Sequence, residues 1–107
     1  MLKRQKTSTL DKIKSGSLDA ANFLKLFSDK SRLLILCCLN EKEKTVSDLE
    51  KELDISQSSV SQKLGKLKDQ GIVSSQRVGK NVFYKIKDPK VMVLIKTLYN
   101  LFCGAEE

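Results

Sequence analysis

The chain has 107 residues, 40% of them hydrophobic, with 20 lysines and arginines against 13 acidic residues and a formal charge of +7. That length suits one domain, the apolar fraction excludes a disordered chain, and the longest unbroken apolar run, Leu33 to Leu39, is far too short to span a bilayer. The lack of histidine, of a glycine-rich phosphate loop and of a Cys-X-X-Cys pair argues against an enzyme, while the positive charge argues for a polyanionic partner, nucleic acid first.

Residues 1–16 hold Lys3, Arg4, Lys6, Lys12 and Lys14 against Asp11 alone, which predicts a basic, flexible N-terminal arm, helical at most in part. Residues 17–107 then form one folded domain. No apolar run follows the basic residues to make a signal peptide, and three cysteines without one suit a reducing cytoplasm. Leu18, Ala21, Leu24 and Phe27 mark the apolar face of a first helix, and Asp29 to Asn40, nearly all apolar after Arg32, predicts a buried central one. Ser47-Asp48-Leu49-Glu50 reads as a capping box opening a short helix that ends near Leu53. Asp54-Ile55-Ser56 makes a tight turn with Ser56 as the next N-cap. The helix that follows carries Val60, Leu64 and Leu67 on an inner stripe and stops at Gly71. Its other side holds short hydroxyls and amides, Ser58, Ser61 and Gln62, where a surface helix usually carries Glu and Lys.

Beyond Gly71 the period falls to two. Ile72 to Val78 and Val82 to Lys87 predict an antiparallel hairpin with Gly79-Lys80-Asn81 at its tip. Asp88 caps a last helix with Pro89 at its first position. Val91, Leu94, Ile95, Leu98, Leu101 and Phe102 lie on one broad face of it, and Met92, Tyr99 and Cys103 add a second apolar edge. A helix apolar on two sides needs two neighbours, its own core and a second subunit.

Short helix, tight turn, longer helix and basic hairpin together specify a winged helix-turn-helix: five helices, mainly α, with a small β-hairpin wing. The longer helix of such a pair lies in the major groove. Gln57, Ser58, Ser61 and Gln62 then face base edges, while Lys63, Lys66, Arg77 and Lys80 hold phosphates. A single exposed serine or glutamine is more simply a solvated side chain. Grouped beside a basic hairpin, these favour double-stranded DNA over the alternative, a winged helix used for protein contacts.

FSDKSRLLIL, TVSDLEKELDISQSSVSQKLGKLKDQGIV and GKNVFYKIKDP resemble the ArsR/SmtB family of dimeric bacterial repressors, over about Leu18 to Cys103. The resemblance implies a homodimer built on the first and last helices and an imperfect inverted repeat in promoter DNA as its operator. Lys63 stands where members often have His, and Gly65 where they often have Ala. Metal-sensing members carry Cys-rich or His/Asp-rich sites. Here the helix from Ser47 to Leu53 has no cysteine and the chain no histidine, so no metal and no cofactor is expected.

LLILCC and YNLFC place Cys37 on the central helix and Cys103 near the end of the last. This resembles the family's persulfide-responsive branch, in which one cysteine from each of these helices joins in a di- or polysulfide link. The resemblance therefore implies a repressor released from DNA by reactive sulfur species or oxidant. Cys38 points about 100° away from Cys37 and is expected to pack in the core. From the residues alone, buried free cysteine is a common apolar filler, and a thiophilic metal or metalloid such as Cu(I) or As(III) is a second reading of the thiols.

Overall fold

The computed structural model describes residues 8–104. Its elements run α1 (Thr9–Lys25), α2 (Lys30–Glu41), α3 (Val46–Leu53), α4 (Gln57–Asp69), β1 (Val73–Val78), β2 (Asn81–Ile86) and α5 (Pro89–Phe102). This is the expected five-helix winged helix-turn-helix. None of the described helices is long and apolar enough to cross a membrane.

The first helix starts earlier than Leu18. Ser8 caps it by accepting the amide of Asp11 at 3.1 Å, and Asp11 in the first turn complements the positive end of the helix. Residues 9–16, expected within a flexible arm, are therefore helical; Lys3, Arg4 and Lys6 lie outside the described residues. No residue of α1 is buried. Its attachment to the rest comes at its end, through buried Leu26, half-buried Phe27, and an edge-to-face contact of the Phe23 and Phe27 rings at 5.4 Å.

The core lies where α2, α3, α4 and α5 converge on the root of the hairpin. Ile35, Leu36, Leu49, Val60, Leu64, Leu67 and Val91 are all inaccessible to solvent. Burial of this many large side chains, each worth roughly 1.5–3 kcal/mol, holds the helix pair α3–α4 rigidly against α2.

The cap of α3 is not Ser47. Thr45 accepts the amide of Asp48 at 3.1 Å, and the Asp48 carboxylate accepts the amide of Thr45 at 3.0 Å. That box, which also holds the Asp48 carboxyl below its ordinary range, wins because the chain just before it is already pinned. Lys44 exchanges backbone hydrogen bonds with Tyr84 at 3.0 and 2.8 Å, a one-residue bridge along the edge of β2. Its ammonium is buried and bonds both oxygens of Glu52, at 2.8 and 3.0 Å.

Asp54, at φ 56°, turns the chain between α3 and α4, and Ser56 caps α4 by accepting the amide of Ser59, as expected. Gly71 leaves α4 at φ 76°, a conformation that costs glycine little. In the wing Val73 pairs with Ile86 and Val78 with Asn81, so the loop is only Gly79-Lys80, with Gly79 at φ 64°. Asn81, expected in the tip, already belongs to β2.

Candidate DNA interface and thiol pair

At about 100° per residue, Ser58, Gln62 and Gly65 fall within about 60° of one another on α4, opposite Val60, Leu64 and Leu67. All three are exposed, as are Gln57, Ser61 and Lys66 beside them. The helix thus turns a strip of small and amide side chains outward, with glycine at its centre. Arg77 near the end of β1 and Lys80 in the loop are also exposed. Such a face has room for close approach to base edges, and the cations around it suit phosphates.

Two lysines of α4 are engaged within the protein. Lys63, expected at a phosphate, sits at the inner edge of α4 with its ammonium 3.4 Å from the Asp29 carboxylate. Lys68, which no sequence pattern singles out, donates to the Ser75 hydroxyl at 2.7 Å and ties α4 to β1. Only the spacing of Lys68 from the strand, unknowable before the fold, identifies that tie.

The second constellation is sulfur. Cys37 on α2 and Cys103 at the close of α5 line one cavity of about 870 Å³ together with Leu34, Leu94, Ile95, Leu98, Phe102 and Glu41. Cys37 is half-buried and Cys103 exposed, and all three cysteines are free thiols. Burial pushes the Cys37 thiol up, and the nearby Cys103 and Glu41 push it further. Cys38 packs against the core, where burial and then Glu52 raise its thiol. Among the described residues, no three His, Cys, Asp or Glu side chains gather as a metal site would require.

The model of the bacterial regulatory protein, arsR family, matches residues 29–75, from the cap of α2 into β1. The Biofilm growth-associated repressor of Xylella fastidiosa is 36% identical over 99 residues, covering 92% of this chain and 87% of that protein. The chain belongs to the ArsR/SmtB family. Solved structures agree: BigR from Xylella fastidiosa superposes with a TM-score of 0.85 over 92% of this chain and all of that one, at 36% identity. Reduced HlyU from Vibrio cholerae gives 0.79 over 86% of this chain and 97% of that one, at 34% identity. The homodimeric winged helix-turn-helix domain of Mb0332 from Mycobacterium bovis gives 0.70 over 83% of each, at 27% identity. As an ArsR/SmtB member of the BigR/HlyU branch, the protein is a DNA-binding transcription regulator, not an enzyme. Helices α3 and α4 are its helix-turn-helix and β1–β2 its wing.

Proposed function

We propose that the chain is a homodimeric repressor that holds an inverted-repeat operator in the cytoplasm while its thiols are reduced, and lets go when reactive sulfur joins Cys37 to Cys103. The observation that carries this reading is that the two cysteines line one cavity between α2 and α5.

The dimer is supported by what one copy leaves uncovered. Leu10, Ile13, Leu18 and Leu24 on α1, and Val93, Tyr99, Leu101 and Phe102 on α5, are each more than half exposed. A helix that buries so little in its own chain has little stability in water, so α1 needs a second copy. Two-fold pairing along α1 and α5 also presents two α4 helices to one duplex, matching an inverted repeat.

The chemistry follows from exposure. Cys103 is the thiol that a reagent meets. Its thiolate attacks the outer sulfur of a persulfide RSSH, RSH leaves, and Cys103 carries the persulfide. The Cys37 thiolate then attacks the inner sulfur, expelling hydrosulfide and closing the disulfide. Two thiols are oxidised and one persulfide is reduced to RSH and hydrogen sulfide. If Cys37 is itself persulfidated first, the same displacement gives a trisulfide. The link acts on DNA only because the joined protein favours another arrangement of α2 and α5.

Fluorescence anisotropy tests this on a duplex that the reduced protein has selected from a random-sequence library. Cys37→Ser and Cys103→Ser variants bind it as the wild type does and stay bound after treatment with an alkyl persulfide. Release of both variants overturns the thiol pair.

A further inference from the structure

Three helices meet in a polar joint at the start of α2. One oxygen of Asp29, Oδ2, accepts the amide of Arg32 at 2.9 Å, capping α2, and lies 3.4 Å from Nζ of Lys63 in the middle of α4. The Arg32 guanidinium reaches the other way. Its Nε donates to the carbonyl of Leu26 at 3.2 Å and its Nη2 to that of Lys25 at 2.9 Å, both at the end of α1. An unbroken line of polar contacts therefore runs from the helix left open for a partner, through the helix that bears Cys37, to the DNA-facing helix.

We propose that Asp29 is a positioning residue for DNA reading, one that sets the rotation of α4 through Lys63 and passes on to it any change in how α1 and α2 sit. Lys63 on this view grips the protein and not a phosphate. The passing-on rests on the proposed sulfur switch; the positioning does not.

The geometry favours a directional role over an energetic one. The Lys63 and Asp29 side chains are 24% and 36% exposed, so water screens the pair and it adds little stability. The buried stripe of Val60, Leu64 and Leu67 presses α4 onto the core but is non-directional. A lateral tie at the edge of that stripe restrains the helix from rolling, and rolling is the motion that carries Ser58 and Gln62 away from a base edge. An aspartate is already ionised at neutral pH, and the amide of Arg32 and then Lys63 hold the Asp29 carboxyl pKa lower still, so the tie stays charged there.

Asp29→Asn separates the tie from the cap, because asparagine caps a helix as well as aspartate does. Operator titrations of reduced Asp29→Asn, Lys63→Gln and the double variant, at several salt concentrations, test the proposal. Each single variant binds the library-selected duplex about threefold more weakly, and the double variant is no weaker than either. The slope of log affinity against log salt stays at its wild-type value in all three. A slope smaller by about one in Lys63→Gln, with Asp29→Asn binding as the wild type or better, makes Lys63 a phosphate contact and overturns the positioning role. Losses that add in the double variant overturn it as well. After persulfide treatment, peptide mass shows the Cys37–Cys103 link in Asp29→Asn, yet release is a smaller fold-change than in the wild type; equal release overturns the passing-on. A wild type that is linked but not released counts against the sulfur reading alone, since the titrations of reduced protein still judge Asp29.

Discussion

Cys37 and Cys103 face one cavity from two helices, and the nearness of Cys103 is the second cause, after burial, that holds the Cys37 thiol above its ordinary range. A raised thiol is mostly protonated at neutral pH, and only the thiolate attacks sulfur. On the proposed switch, the half-buried partner should therefore react slowly with reagents in bulk water and act mainly on a persulfide delivered to its neighbour.

Closure of the link should therefore be the pH-sensitive step. Below the raised Cys37 pKa its thiolate fraction climbs about tenfold per pH unit, and the closing rate climbs with it. Mass spectrometry of quenched samples should show Cys103 persulfide accumulating on the acid side and giving way to the linked form on the alkaline side. A closing rate independent of pH between neutrality and mild alkali contradicts the assignment of Cys37 as the closing nucleophile.

The proposed DNA face of α4 includes Gly65, and a methyl group added there would meet nothing within 4 Å beyond its chain neighbours and the backbone of its own helix. Gly65→Ala should raise stability by about 1 kcal/mol, the helix-propensity difference, and leave operator binding intact. Gly65→Glu should fold and lose at least about tenfold in affinity, because the carboxylate points at the polyanion. Ser58→Ala and Gln62→Ala should each cost up to about 1–3 kcal/mol of operator affinity and relax base preference. Thermal melts and anisotropy separate the two kinds of effect.

Most of the element order is legible in the sequence because local rules suffice for it. The Ser56 cap, the left-handed Gly71 and the Asp88-Pro89 start of α5 depend on neighbours in sequence, and each stands where expected. Local pattern misplaces the cap of α3 because Thr45-x-x-Asp48 and Ser47-x-x-Glu50 both fit a capping box. What decides between them is the bridge from Lys44 to Tyr84, a contact no local pattern contains. The ion pair of Lys63 is illegible for a similar reason: its partner Asp29 lies more than a helix away along the chain. That Cys37 and Cys103 line one cavity is readable only through the family resemblance, since such shared lining leaves no periodic trace.

The pair of the buried Lys44 ammonium with the solvent-exposed Glu52 carboxylate predicts a specific pH profile for stability. The bond to Glu52 is the largest influence on Lys44 and raises its pKa, against burial, which lowers it. Its stabilising contribution is thus fully present below the ordinary lysine range and is lost as pH rises through the raised value. Melting temperature should hold from neutrality into mild alkali and fall in strong alkali. Glu52→Gln should lower it by several degrees at neutral pH, because the buried ammonium loses its counter-charge, and Lys44→Met should restore part of the loss. Differential scanning calorimetry checks both.

The open faces of α1 and α5 predict obligatory pairing. Leu18→Glu and Leu101→Glu place a charge on surfaces that are 72% and 69% exposed in one copy, so neither disturbs its core. Each variant should shift the protein from dimer to monomer in analytical ultracentrifugation and weaken operator binding at least tenfold, roughly, through loss of the second half-site. An unchanged sedimentation coefficient in both places the dimer elsewhere.

On the proposed switch, joining Cys37 to Cys103 lowers affinity for DNA. The most direct test is the affinity of a sample in which peptide mass has verified that link, set against the same protein after reduction, on one duplex at one salt concentration. The linked sample should bind about tenfold or more weakly and regain its affinity on reduction. Equal affinity in the two states would show that the two sulfurs, though they share a cavity, do not speak to the helix that reads DNA.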